Sequence, residues 1–141
     1  MTAETRMRYL RVALRVFGVF LIVGIYPLMN WIWPDGWAWE PRQTEYEQMI
    51  QGIYVTLGVF LLLAAREPLA HLSLIRFTIW SSIVHAGIMA AQAGHDHTEH
   101  ANLFGDVPAL FAMAFVLWWL LPKRGDSAAG TAFGPEAGKA A

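Results

Sequence analysis

His95, His97 and His100 alternate with Asp96 and Glu99 in the stretch "HDHTEH". Neutral imidazole binds zinc, copper and nickel, and carboxylates add charge to such sites. In an extended chain His95 and His97 point to one side. On a helix His97 pairs with His100, His95 with Glu99, and Asp96 with His100. Each conformation offers a pair and none a full tetrahedral set. A complete site therefore needs His85, Asp106, the acidic first connection or another subunit. The alternative is a solvated polar turn, common for a short His-rich tract. The HExxH pattern of zinc proteases is absent.

A second group precedes the histidines. Thr78, Ser82, His85, Met89, Gln92 and Asp96 recur at steps of four and three, which on a helix is one face. At 1.5 Å per residue, His85 lies roughly 12 Å below Ala93. Its ring can donate from one nitrogen and accept, or bind a metal, with the other. It is expected either to hydrogen-bond a neighbouring helix, through Tyr26, Tyr54 or Thr56, or to serve with Met89 and Gln92 in holding a quinone or another ligand, or in relaying a proton. A haem held on both sides is not expected, because His85 and Met89 share one face.

Four apolar runs position these groups: 16–33, 49–65, 72–93 and 107–121. A membrane-crossing helix needs about 20 such residues, and four in succession, apolar all round, do not fit a soluble bundle. The expected fold is all-α, an integral membrane four-helix bundle over 1–124. Its helices are expected near 10–33, 47–66, 71–94 and 103–121, followed by a disordered tail, 125–141, rich in Gly and Ala. Asp106 is expected to cap the fourth helix, with Pro108 in its first turn. Gly52 and Thr56 form a small-x-x-x-small pair that would admit a neighbouring backbone.

Arg6, Arg8, Arg11, Arg15, Arg66, Arg76, Lys123 and Arg124 fall at one end of this arrangement. The first connection has only Arg42 against Asp35, Glu40, Glu45 and Glu47, and the third has no Lys or Arg. By the positive-inside rule both termini are cytoplasmic, and the histidine loop faces outward. Trp31, Trp33, Trp37 and Trp39 are expected as an outer aromatic belt, and Trp118 and Trp119 as an inner one. Arg76 sits one turn from the inner end, where it can snorkel to the phosphate layer. The first run has a basic flank but no small-residue cleavage site, and reads as an uncleaved anchor.

The 141 residues are 56% hydrophobic and 15% charged, with net charge −1 and no Cys. Disulfides, thiolate metal sites and Cys-linked haem are excluded, and no basic, aromatic-laced surface for nucleic acid is present. No Ser/His/Asp set, phosphate loop or dinucleotide fingerprint appears, which points away from an enzyme.

"MRYLRV", "SSIVHAGIM" and "GDVPAL" resemble features of small four-span bacterial membrane proteins classed as uncharacterised. In size and span count the chain is similar to the DoxX-like membrane proteins. The resemblance implies a multi-pass protein of the bacterial inner (cytoplasmic) membrane, and no activity or site residue.

The function expected is that of a non-enzymatic accessory subunit of a larger membrane complex. Its partners would be the lipid bilayer and other membrane subunits or further copies of itself. A transition metal, Zn, Cu or Ni, would bind at the outer His/carboxylate loop. The alternative is a quinone- or redox-linked membrane protein built on the stripe around His85.

Overall fold

The computed structural model describes residues 1–38 and 41–122. Trp39, Glu40, Lys123, Arg124 and the tail 125–141 lie outside the described residues. Four helices are long and apolar enough to cross a membrane: α1 (Ala3–Ile32), α2 (Thr44–Ala64), α3 (Pro68–His95) and α4 (His97–Leu120). Among the described residues there is no strand.

α1 starts where the Thr2 hydroxyl accepts from the Thr5 N–H at 3.2 Å, satisfying one of the free amides of a helix start. It runs regularly to Val19, then widens into two π turns, Phe20–Gly24 and Leu28–Ile32, with Ile25–Pro27 between them. Pro27 has no N–H, and its ring crowds the carbonyl four residues back. The ladder responds by reaching one residue further. Ile25 N–H bonds the Phe20 carbonyl and Trp33 N–H the Leu28 carbonyl, a local change often found at functional sites.

α1 and α2 touch at Gly18 and Gly58. A Cβ on Gly58 would lie 2.7 Å from the Gly18 carbonyl oxygen, and one on Gly18 would lie 2.9 Å from the Gly58 carbonyl oxygen. This is the small-residue crossing of α2. The expected pair is elsewhere: Gly52 faces open space, and the Thr56 hydroxyl donates to its own helix at the Gly52 carbonyl. α3 and α4 form a close antiparallel pair, while α2 and α3 meet sparsely. One core runs from Leu10, Leu14, Leu61, Ile75 and Leu117 in the basic half along α1 to Ile25, Met29 and Ala38 at the other end. A smaller one, Ala86, Met89, Val107 and Leu110, lies toward the other end.

Charge divides along the bundle. Arg6, Arg8, Arg11, Arg15, Arg66 and Arg76 belong to one end, with Glu4 and Glu67. Asp35, Glu45, Glu47, Asp96, Glu99 and Asp106 belong to the other, with Arg42. Arg42 ties that end together. Its guanidinium pairs with Glu47 at 2.6 Å and donates to the Met29 carbonyl at 3.2 Å and to Asn30 Oδ1 at 3.3 Å. It thereby joins the start of α2 to the frayed carbonyls of the last turn of α1. Glu47 is 2% exposed, and a side chain buried to that degree needs such a partner. Replacing Glu47 with Ala removes this ion pair from Arg42. The expected cost is about 2 kcal/mol, below the range for fully buried pairs because the arginine is partly solvated. A lowered thermal midpoint in detergent checks it, and an unchanged midpoint would show the clamp to be energetically idle.

Candidate functional site

The wide turns of α1 turn Phe20, Leu21, Ile25 and Met29 toward a cavity of about 40 Å³. Tyr54 of α2, His85 and Met89 of α3, and Asp106 and Met113 of α4 complete its wall. Three polar side chains from three helices thus meet on an otherwise apolar surface.

Tyr54 Oη and His85 Nδ1 lie 3.1 Å apart, and the two rings stack with centroids 6.1 Å apart. With the imidazole proton on Nε2, the tyrosine hydroxyl donates to Nδ1. Of the three partners considered for His85, Tyr54 is the one in place. Tyr26 is half exposed and packs edge-on against Trp31, and Thr56 bonds its own backbone.

Asp106 is 8% exposed, and its Oδ1 has no hydrogen-bond partner among the described residues. It was expected to cap α4. Instead Gly105 holds the cap position and Asp106 is the first residue of the regular helix. The cause is a backbone contact: a Cβ on Gly105 would lie 2.0 Å from the Gly36 carbonyl oxygen. The first connection therefore presses on α4 where its regular part, Asp106–Leu120, begins, and Asp106 lies buried there. Trp37, next to Gly36, packs edge-on against Phe20 at 6.0 Å and lines the cavity. It is thus a wall residue, whereas Trp31 and Trp118 are largely exposed, as a belt requires.

The stripe on α3 holds as far as Met89. Thr78, Ser82 and Met89 are buried, and the Ser82 hydroxyl reaches Met113 Sδ at 3.9 Å. Above Met89 it departs from the expected line. Ala93 takes the buried position and Gln92 is exposed. At 100° per residue, position 93 lies closer to the Met89 direction than position 92. The regular helix ends at His95, and Asp96 has extended backbone, with φ −118 and ψ 115, so it leaves the face. Gln92 is not in the cavity wall, and the stripe does not continue into the histidine loop.

In that loop His97 and His100 meet edge to face with centroids 4.6 Å apart. His95 turns back, its Nδ1 2.7 Å from the Ala91 carbonyl oxygen. Glu99 is buried and accepts from the Asn102 amide. Asp96 accepts from the Thr98 N–H at 2.9 Å and the Thr98 hydroxyl at 2.7 Å. Among the described residues no three His, Asp or Glu side chains gather as a metal would require.

The two Thr98 bonds hold the Asp96 carboxyl below the usual carboxylate range. A depressed folded value means the cap's contribution is complete above the ordinary carboxylate pKa. It is lost as pH falls through the lower folded value. Thr98 amide protection is therefore expected to survive from about pH 6 to below about pH 4 and then fade. Hydrogen exchange over that range checks this; early fading would mean the cap is absent in solution.

The described residues form an all-helical fold with four membrane-span-like helices and, in its acidic half, a small apolar cavity that three polar side chains face. The chain belongs to DUF6632, a family of unknown function, whose family model matches residues 4–132. No curated protein matches it, and no solved structure does. The similarity to DoxX-like proteins rests on size and span count alone.

Proposed function

We propose that this is a multi-pass protein of the bacterial inner membrane, with both termini in the cytoplasm, that binds the head group of a quinone-type molecule in the cavity between Tyr54, His85 and Asp106. The charge division along the bundle supports the orientation. The ligand reading is carried by one observation: a buried carboxylate oxygen without a partner faces the same apolar cavity as a Tyr–His pair. Buried polar atoms ordinarily find partners, and ionisable groups within a membrane mark ligand or proton sites.

A quinone head is an apolar ring with two carbonyl acceptors. Protonated Asp106 can donate to one of them, and the Tyr54 hydroxyl to the other once His85 takes the tautomer with its proton on Nδ1 and donates to the tyrosine oxygen. His85 can exchange the tyrosine's proton. About 40 Å³ accommodates water rather than a ring, so Met29, Met89 and Met113 must give way on entry, as flexible thioether side chains do.

Solvent extraction of the purified protein tests this reading. Stoichiometric quinone, lost in Tyr54→Phe and in Asp106→Leu, is the expected result. Quinone no higher than in empty detergent micelles would end the proposal.

Metal binding at the outer loop is a second reading, favoured by the contact of the His97 and His100 rings. Two imidazoles need further ligands for a tetrahedral ion. Elemental analysis of protein prepared without a His-tag is expected to show Zn, Cu or Ni, removed by joint replacement of His95, His97 and His100 with Ala. Metal at background in the wild type refutes it. The exposed apolar side chains of the four helices suit acyl chains as well as a partner subunit, so the accessory-subunit reading ranks behind the cavity.

A further inference from the structure

A second concavity, of about 490 Å³, lies at the basic end between α3 and α4. Its walls are Arg76, Trp80 and Ile83 on α3, and Phe111, Phe115 and Trp118 on α4. The buried Ala114 forms its floor; a larger side chain there would fill the space between the walls. The helices are antiparallel, so Arg76 stands opposite Trp118, and Ile83 opposite Phe111. The groove is therefore polar at one end and apolar along the rest. Arg76 is exposed and makes no ion pair with any described residue. An unpaired guanidinium at the mouth of an aromatic groove calls for an anion attached to a hydrocarbon chain.

We propose that this groove is a binding site for an anionic glycerophospholipid. Its phosphate pairs with Arg76, and one acyl chain lies over Ala114 between the two aromatic walls. Guanidinium donors match phosphate oxygens in geometry and charge. Basic pockets between spans at the cytoplasmic face are suited to such head groups. Trp80 and Trp118, 67% and 63% exposed, offer indole N–H donors at the level where head group meets chain. The site shares no residue with the Tyr54–His85–Asp106 cavity and stands independently of it.

The test is native mass spectrometry of the full chain released from nanodiscs of equimolar phosphatidylglycerol and phosphatidylcholine. The wild type is expected to retain phosphatidylglycerol in preference. Arg76→Gln should lower that retention about fivefold, the loss of one surface cation's attraction of about 1 kcal/mol, and leave phosphatidylcholine unchanged. Arg76→Lys should keep the preference for phosphatidylglycerol. Equal retention of the two lipids by the wild type overturns the proposal, as does an Arg76→Gln protein that retains phosphatidylglycerol like the wild type. Should Arg76→Gln not yield folded protein, loss of the preference in Arg76→Lys would overturn it equally, since the charge is kept.

Discussion

Replacing Gly58 with Leu is expected to abolish the monodisperse protein in mild detergent. The physical reason is the backbone-to-backbone crossing of α1 and α2. Even a methyl group at Gly58 would lie 2.7 Å from the Gly18 carbonyl oxygen and 2.8 Å from Ile22 Cγ1. A carbonyl cannot swing aside as a side-chain tip can, so the helices must separate along their length. Overpacking costs about 1–3 kcal/mol where a core can adjust, and here more than about 3 kcal/mol is expected. The control is Gly52→Ala on the same helix, where the added methyl meets nothing within 4 Å. It should be neutral or slightly stabilising, since Ala is the better helix former. Size-exclusion elution and thermal midpoints decide the matter. A Gly58→Leu protein that elutes and melts like the wild type would mean that α1 and α2 do not cross at these glycines.

Asp106→Leu should move stability and binding in opposite directions. The carboxylate is almost wholly buried, and one of its oxygens has no partner, an arrangement that costs about 1–3 kcal/mol. An apolar side chain of the same shape removes that unpartnered oxygen, and the ligand-free protein should melt at a higher temperature. Binding of a quinone-type head should fall about tenfold to a hundredfold, the effect of losing a buried hydrogen bond of about 1.4–2.8 kcal/mol. Such a trade marks a residue held in place for function rather than fold. Thermal melts with and without a short-chain quinone read both quantities. A lower midpoint for the ligand-free variant would assign Asp106 a structural role and remove the main support for the cavity as a binding site.

The four helices were legible because hydropathy needs only counting: the runs at 16–33, 49–65, 72–93 and 107–121 each fall inside one helix or overrun it by at most a residue or two. The link between His85 and a neighbouring helix was legible for the same reason, since a polar side chain in an apolar span needs a partner. Asp106 was misplaced because the capping rule sees only the residues that follow it. The contact that shifts the cap to Gly105 comes from Gly36, far away in sequence. The glycine crossing was missed because several apolar-helix spacings satisfy the same pattern. Only packing distinguishes Gly58, with a backbone against it, from Gly52, with none. The upper part of the stripe was lost because steps of four and three carry a face forward only while the helix lasts, and this one ends at His95.

Each wide turn in α1 holds one residue more than a regular turn would, so the helix carries slack in its numbering. Deleting a single residue there, Val23 for example, gives the backbone a route back to ordinary α geometry instead of a break. Because the wide turn has already absorbed the extra residue's rotation, everything beyond the deletion would keep roughly its direction, with Ile25 and Met29 still on the cavity wall. The last third of α1 therefore works as a register buffer: chain length can change there by a residue while the same side chains still meet Tyr54, His85 and Asp106. Alignments of related chains that place a one-residue gap between Phe20 and Ile32 would mark proteins with a regular helix there and the same chamber.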